Sequence, residues 1–213
     1  MSQRLQGRRA IVTGGGAGIG RGAALRLAEE GARVGVLDIN LNTAREVADE
    51  ISQAGGEAFA LEVNVADEAQ VSEAVLEVEK RLAGLDTVIA NAGIMLFGHD
   101  TVATELDLQT WQRCIDVNLT GMFLTCKHGL RALERNGAGS VVITASPAGV
   151  YGCAPTFTAY SASKAGTLGL VRILAIDYVK KRFESMQFYR VQLTLHWSRY
   201  SWRIPPPERS SWP

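Results

Sequence analysis

The run Ala10-Ile-Val-Thr-Gly-Gly-Gly-Ala-Gly-Ile-Gly20 is an apolar strand that breaks directly into glycines and then into an amphipathic stretch. That order restricts the chain to a strand, a tight turn and a helix that returns over the strand. Gly14 permits the turn, Gly18 lets backbone approach an anionic ligand without an intervening Cβ, and Gly20 allows close packing of helix on strand. An anion then sits at the helix N-terminus, where unpaired N–H groups and the helix dipole favour negative charge. A glycine-rich turn alone is a weak signal, because plain structural loops use the same residues.

The rest of the chain continues the alternation. Strands are expected at Arg9–Val12, Arg33–Leu37, Glu57–Val63, Thr87–Ala90 and Ser140–Thr144. Helices are expected at Gly20–Glu30, Leu41–Ala54, Glu68–Leu82 and Ala159–Lys180, with one long helical segment over Leu106–Leu133. Strands alternating with helices at this spacing give βαβ units, hence a doubly wound parallel sheet in a three-layer αβα arrangement. With 213 residues and 46% hydrophobic content, the chain supports one sizeable core.

Lys plus Arg is 22 and Asp plus Glu is 22, so no charge excess points to nucleic acid or an anionic membrane. Cys114, Cys126 and Cys153 are odd in number and lack metal-ligand spacing, which reads as buried thiols rather than disulfides or a metal site. The first residues read as neither signal peptide nor membrane span, and a cytoplasmic protein is the expectation.

Asp38 closes the second strand in Val34-Gly-Val-Leu-Asp38, about 20 residues past the glycines. An acid there accepts hydrogen bonds from a ribose and repels a 2′-phosphate, which favours NAD over NADP. Arg21 and Arg33 are close enough in sequence to serve as phosphate ligands, so the preference stays open to them.

Tyr160-Ser-Ala-Ser-Lys164 opens a helix, and the i, i+4 spacing puts phenol and ammonium on one face. A free tyrosine ionises near pH ~10, and a neighbouring cation favours its phenolate. Tyr160 is thus expected to exchange a proton with a substrate oxygen while a nicotinamide exchanges a hydride with the adjacent carbon. Alone, such a pair is an ordinary helix surface. Ser146 follows a strand end, where α/β sheets place their crevice, and its hydroxyl can donate to a substrate oxygen. Asn118 is a polar residue inside an apolar helical run.

Together these motifs resemble the short-chain dehydrogenase/reductase family, in its NAD-preferring classical branch. The family's TGxxxGxG falls on Thr13, Gly14, Gly18 and Gly20, with Ile19 between the last two glycines. Its NNAG element appears as Ala90-Asn91-Ala92-Gly93, and its catalytic tetrad falls on Asn118, Ser146, Tyr160 and Lys164. The resemblance spans residues 6 to about 181. It implies a Rossmann-like fold, cofactor contacts from Asn91, Ala92 and Gly93, and a sheet-stabilising role for Asn91. It also implies that Lys164 holds the nicotinamide ribose and that Asn118 supports a water relay to it. Asn64-Val65 stands where many members have Asp-Val beside the adenine amino group; Asn keeps an acceptor there. A small-molecule alcohol or carbonyl substrate and a homo-oligomer paired through helices follow from the same resemblance.

After Lys181 the family's pattern stops, and a segment rich in Trp, Arg and Pro ends at Pro213. Read in a frame shifted between Arg182 and Phe183, the segment permits IRVNAILPGSIDTPL, the family's next strand, PG turn and Thr-Pro element, with Ala forced at Met186–Gln187. The expectation is a domain over residues 1–181 and a non-family, frame-shifted tail over 182–213, with Val191–Leu195 alternating like a strand. A lineage-specific tail is the alternative. Two other functions stand beside the oxidoreductase: a truncated, catalytically impaired NAD-binding product, and a non-catalytic nucleotide-sensing protein.

Overall fold

A computed structural model of the chain describes residues 3–179. Among them, five strands form one parallel sheet in the order β3-β2-β1-β4-β5. The strands are β1 (Arg9–Thr13), β2 (Arg33–Asp38), β3 (Glu57–Glu62), β4 (Thr87–Ala90) and β5 (Ser140–Ile143). The helices are α1 (Gly18–Glu29), α2 (Leu41–Gln53), α3 (Glu68–Leu82), α4 (Leu108–Ile115), α5 (Gly121–Asn136) and α6 (Thr158–Val179).

Alternation along the strands sends neighbouring side chains to opposite faces. Ile11 and Leu37 enter one core with the inner faces of α3 and α5, and Leu170 and Leu174 of α6 pack against it. Val12, Val34 and Val36 enter a second core with Ala24 of α1 and Ala44, Val47 and Ile51 of α2. The sheet is therefore covered on both sides, which is the doubly wound αβα architecture expected from the sequence. Strand order reverses between β1, which pairs with β2, and β4, and such a switch point opens a crevice beyond the strand ends.

The long segment over Leu106–Leu133 is not one α-helix. Asp107 caps α4, and a five-residue π-helical turn, Asp116–Thr120, separates α4 from α5. A π turn inserts a residue without breaking the apolar stripe, so periodicity alone reads straight through it. Cys153 is exposed, unlike Cys114 and Cys126, and this corrects the expectation of three buried thiols. Residues 180–213, with the tail's strand-like Val191–Leu195 and the expected end of α6 at Lys180, lie outside the described residues. Among the described residues no helix is long and apolar enough to cross a membrane.

Candidate active site

One cavity of about 1120 Å³ lies beyond the C-terminal ends of the strands, running from the glycine turn to the start of α6. Gly14, Gly18, Ile19, Asp38, Asn64, Val65, Asn91, Ala92, Gly93, Tyr160 and Lys164 all line it. Thr13, Gly20, Asn118 and Ser146 do not; Thr13, Asn118 and Ser146 brace backbone beside it, and Gly20 leaves room for the Gly14 turn.

At the turn, Gly14 and Gly18 hold φ of 63° and 53°, the left-handed region that favours glycine. A Cβ on Gly14 would stand 2.8 Å from Ala92 Cα, whereas one on Gly18 would meet nothing within 4 Å. The turn is thus closed toward β4 and open toward the cavity. Helix α1 begins there without a side-chain cap, whereas Asn40, Asp67 and Asp107 cap α2, α3 and α4. Its first N–H groups are left for another acceptor. A phosphate-bearing ligand fits this cradle.

Asp38 Oδ2 accepts from Gly16 N at 2.9 Å, and Oδ1 accepts from Asn40 N at 3.0 Å. The carboxylate so braces the glycine turn and keeps lone pairs for a ligand in the cavity. Arg33 does not reach this end of the sheet. It is the first residue of β2, in register with Glu57, and its guanidinium pairs with that carboxylate at 2.6 Å. Arg21 pairs with Glu50 at 2.5 Å on the outer side of α1. Asn64 Oδ1 accepts from Ala66 N at 3.1 Å, an Asx turn that fixes the amide's orientation.

Thr13 and Asn91 join the C-terminal ends of β1, β4 and β5. Thr13 Oγ1 accepts from Asn91 N at 3.0 Å and donates to Ile89 O at 3.4 Å. Asn91 Nδ2 donates to Thr13 O at 3.1 Å and Gly14 O at 3.2 Å, while its Oδ1 accepts from Thr144 Oγ1 at 3.0 Å. Gly20 must lack a side chain, since a Cβ would lie 2.0 Å from Gly14 O and 2.6 Å from Asn91 Nδ2.

Toward β5, Lys164 Nζ donates to Thr144 O at 3.1 Å and sits 5.8 Å from the Tyr160 ring centroid. Lys164 is 4% exposed, and burial lowers its pKa from 10.5 to about 8. Asn118, fully buried on the π turn, accepts from Ile94 N at 2.7 Å and donates back to Ile94 O at 2.8 Å. Its amide also reaches Ser163 Oγ at 3.2 Å. A Cβ on Gly93 would stand 3.2 Å from Asn118 Oδ1 and 3.5 Å from Lys164 Nζ, so Gly93 leaves the space between them clear. Ser146 Oγ accepts from Ala148 N at 3.2 Å, capping the 3₁₀ turn Pro147–Gly149. That turn lies against α6, where a Cβ on Gly149 would come within 2.5 Å of the Lys164 carbonyl carbon.

Sequence reasoning missed part of the wall. Ile94, Gln112, Arg113, Val117 and Thr144 line the cavity as well. Val117 carries the one available signal, its place beside Asn118, but only the π turn decides which residues of that segment face inward.

Burial of Lys164 has a thermodynamic consequence. Below pH ~8 the lysine is protonated in folded and unfolded chain alike, and folding bears the full desolvation cost, on the order of 3 kcal/mol. Between about 8 and 10.5 the folded chain sheds the proton first, so stability rises with pH through that window. Lys164→Met is therefore expected to melt several degrees higher than the parent at pH 7 and to lose that advantage by pH ~10.5. Thermal melts of both chains across pH check this; a variant less stable than the parent at pH 7 contradicts it.

The family described as short chain dehydrogenase matches residues 8–193. A cyclohexanol dehydrogenase of an Acinetobacter species is 38% identical over 181 residues, covering 85% of this chain and 71% of the relative. A solved 3-ketoacyl-ACP reductase from Sinorhizobium meliloti 1021 superposes with a TM-score of 0.77 at 41% identity, over 80% of this chain and 67% of that one. A carveol dehydrogenase from Mycobacterium avium, solved in complex with NAD, gives 0.78 at 31% identity, over 83% and 68%. A glycine cradle at the sheet's switch point, a tyrosine and lysine on the facing helix, and relatives alike over most of both chains lead to one conclusion: the chain belongs to the short chain dehydrogenase family, oxidoreductases that act on CH–OH groups.

Proposed function

We propose that the protein transfers a hydride between NAD(H) and a secondary alcohol or the corresponding carbonyl compound. The observation that carries this reading is the continuity of one cavity from the open glycine turn, past Asp38, to Tyr160 and Lys164. Relatives named for cyclohexanol and carveol support the substrate class.

Gly14, Gly18 and the uncapped start of α1 would hold the pyrophosphate, and Asp38 the adenosine ribose. Asn64 and Val65 would flank the adenine, and Asn91, Ala92, Gly93 and Lys164 the nicotinamide half. NAD, when bound, supplies the hydride acceptor or donor. Tyr160 exchanges a proton with the substrate oxygen through its phenol. Lys164 places a buried ammonium beside that ring, and Thr144 O orients it. Asn118 acts on the same region by fixing the backbone at Ile94 and supporting water near Lys164. Ser146, by capping the turn that packs on Lys164, supports the backbone behind that lysine.

Cofactor choice tests the reading. A 2′-phosphate would come close to the Asp38 carboxylate, and like charges about 4 Å apart repel by up to roughly 4 kcal/mol at a protein surface. NAD is expected to bind at least about tenfold more tightly than NADP, and Asp38→Ala to narrow the gap. Calorimetric titration of both cofactors decides it; tighter binding of NADP to the parent chain contradicts the assignment of Asp38.

A further inference from the structure

The first N–H groups of a helix have no partners within it. Helices α2, α3 and α4 take theirs from the residue directly before them, Asn40, Asp67 and Asp107. The residue before α6 is Phe157, whose side chain has no acceptor. Its cap comes from Asp100, 59 and 60 residues away: Oδ1 accepts from Ala159 N at 3.0 Å and Oδ2 from Tyr160 N at 2.9 Å. Thr158 Oγ1 adds a hydrogen bond to Thr101 O at 2.6 Å, and Phe97 meets Phe157 edge-on with ring centroids 5.3 Å apart.

Asp100 is 5% exposed, and among the described residues no ion pair reaches it. A buried carboxylate without a cation is costly unless hydrogen bonds satisfy it. The two N–H groups and the positive end of the α6 dipole do so here. A cap from the preceding residue satisfies a helix wherever that helix lies. A cap from another part of the chain also fixes where the helix starts relative to that part. The segment that carries Asp100 leaves β4 through Ile94, which Asn118 holds in both directions, and Ile94 and Met95 line the cavity. The segment therefore spans from the cavity wall to the backbone of Tyr160.

We propose that Asp100 is a positioning residue: it holds the first turn of α6 against the segment after β4 and so sets where the Tyr160 phenol stands in the cavity. The proposal rests on the assignment of Tyr160 to proton transfer made above. It differs from simple helix capping in requiring that the reaction step, and not only stability, respond to loss of the cap.

The test uses the full chain with Asp100→Ala, which removes both acceptors, and Asp100→Asn, which keeps one. Hydrogen exchange of the Thr158–Lys164 region, NAD affinity, and kcat and KM for cyclohexanol oxidation are measured on each. Exchange at Ala159 and Tyr160 is expected to quicken about tenfold in the Ala variant. Its kcat should fall at least about tenfold, with NAD affinity and KM held within about threefold and the Asn variant intermediate. If the Ala variant does not fold, the Asn variant decides by the same criteria. Faster exchange with kcat within about twofold of the parent reduces Asp100 to a stabilising cap and overturns the proposal, as does unchanged exchange. A parent chain that transfers no hydride overturns the proposed function instead, and the place of the Tyr160 ring beside Lys164, read by NMR, then decides the positioning: a ring that moves away from Lys164 in the Ala variant supports it, and a ring that stays overturns it.

Discussion

Tyr160→Phe is expected to lower hydride transfer by about 10²–10⁴-fold while leaving NAD affinity within about twofold of the parent. The substitution removes one oxygen and keeps the ring, so the half-buried side chain still fills its place beside Lys164. What disappears is the group that exchanges the substrate's proton. Lys164→Ala should behave differently, lowering both turnover and NAD affinity, because that ammonium lies in the cavity beside Gly93 as well as beside Tyr160. Steady-state rates with cyclohexanol, run beside fluorescence titration of NAD, separate the two variants. A Tyr160→Phe chain that keeps more than about a tenth of parental turnover would remove Tyr160 from the proton-transfer role.

The largest loss of stability is expected from Gly20→Ala. The new methyl would overlap the Gly14 carbonyl oxygen at 2.0 Å and its carbon at 2.8 Å, both backbone atoms of the turn that begins the site. Neither can swing aside as a side chain would, so α1 must move off β1 and pull at the Asn91 bridge. Overpacking of this kind costs about 1–3 kcal/mol, and contact with fixed backbone places it at the upper end, a fall in melting temperature of roughly 5–10 °C. Gly22→Ala is the matched control. It lies in the same helix with nothing within 4 Å of its added Cβ, and it is expected to gain about 0.5–1 kcal/mol from helix propensity. Equal melting temperatures for the two variants would contradict the close approach at Gly20.

Local features were legible in the sequence because local rules create them. The glycine turn and the strand ends follow from residues within a few positions of one another. The parallel sheet followed from their alternation. What sequence reading missed is tertiary. Arg33 stands only 19 positions from the glycine at 14, yet β2 carries it to the opposite end of the sheet, where Glu57 neutralises it. The π turn at Asp116–Thr120 leaves the apolar stripe intact and changes only which residues face the cavity. The cap made by Asp100 gave no signal, since the N–H groups it satisfies are 59 and 60 residues further along. Ser146 and Asn118 were placed beside the site by their motifs, but neither lines the cavity: Ser146 caps the turn that follows it, and Asn118 ties the π turn to Ile94, 24 residues earlier in the chain.

The central claim is that one cavity brings a bound nicotinamide cofactor and an alcohol together for hydride transfer. Incubating the protein with NAD and cyclohexanol deuterated at its carbinol carbon, and following the label by mass spectrometry, tests it most directly. The account predicts that deuterium passes from that carbon to the nicotinamide ring in step with ketone formation, and that Tyr160→Phe suppresses the transfer while still binding NAD. Tight NAD binding with no label reaching the cofactor, from cyclohexanol or from a panel of other deuterated secondary alcohols, would contradict it and leave a nucleotide-binding protein without this chemistry.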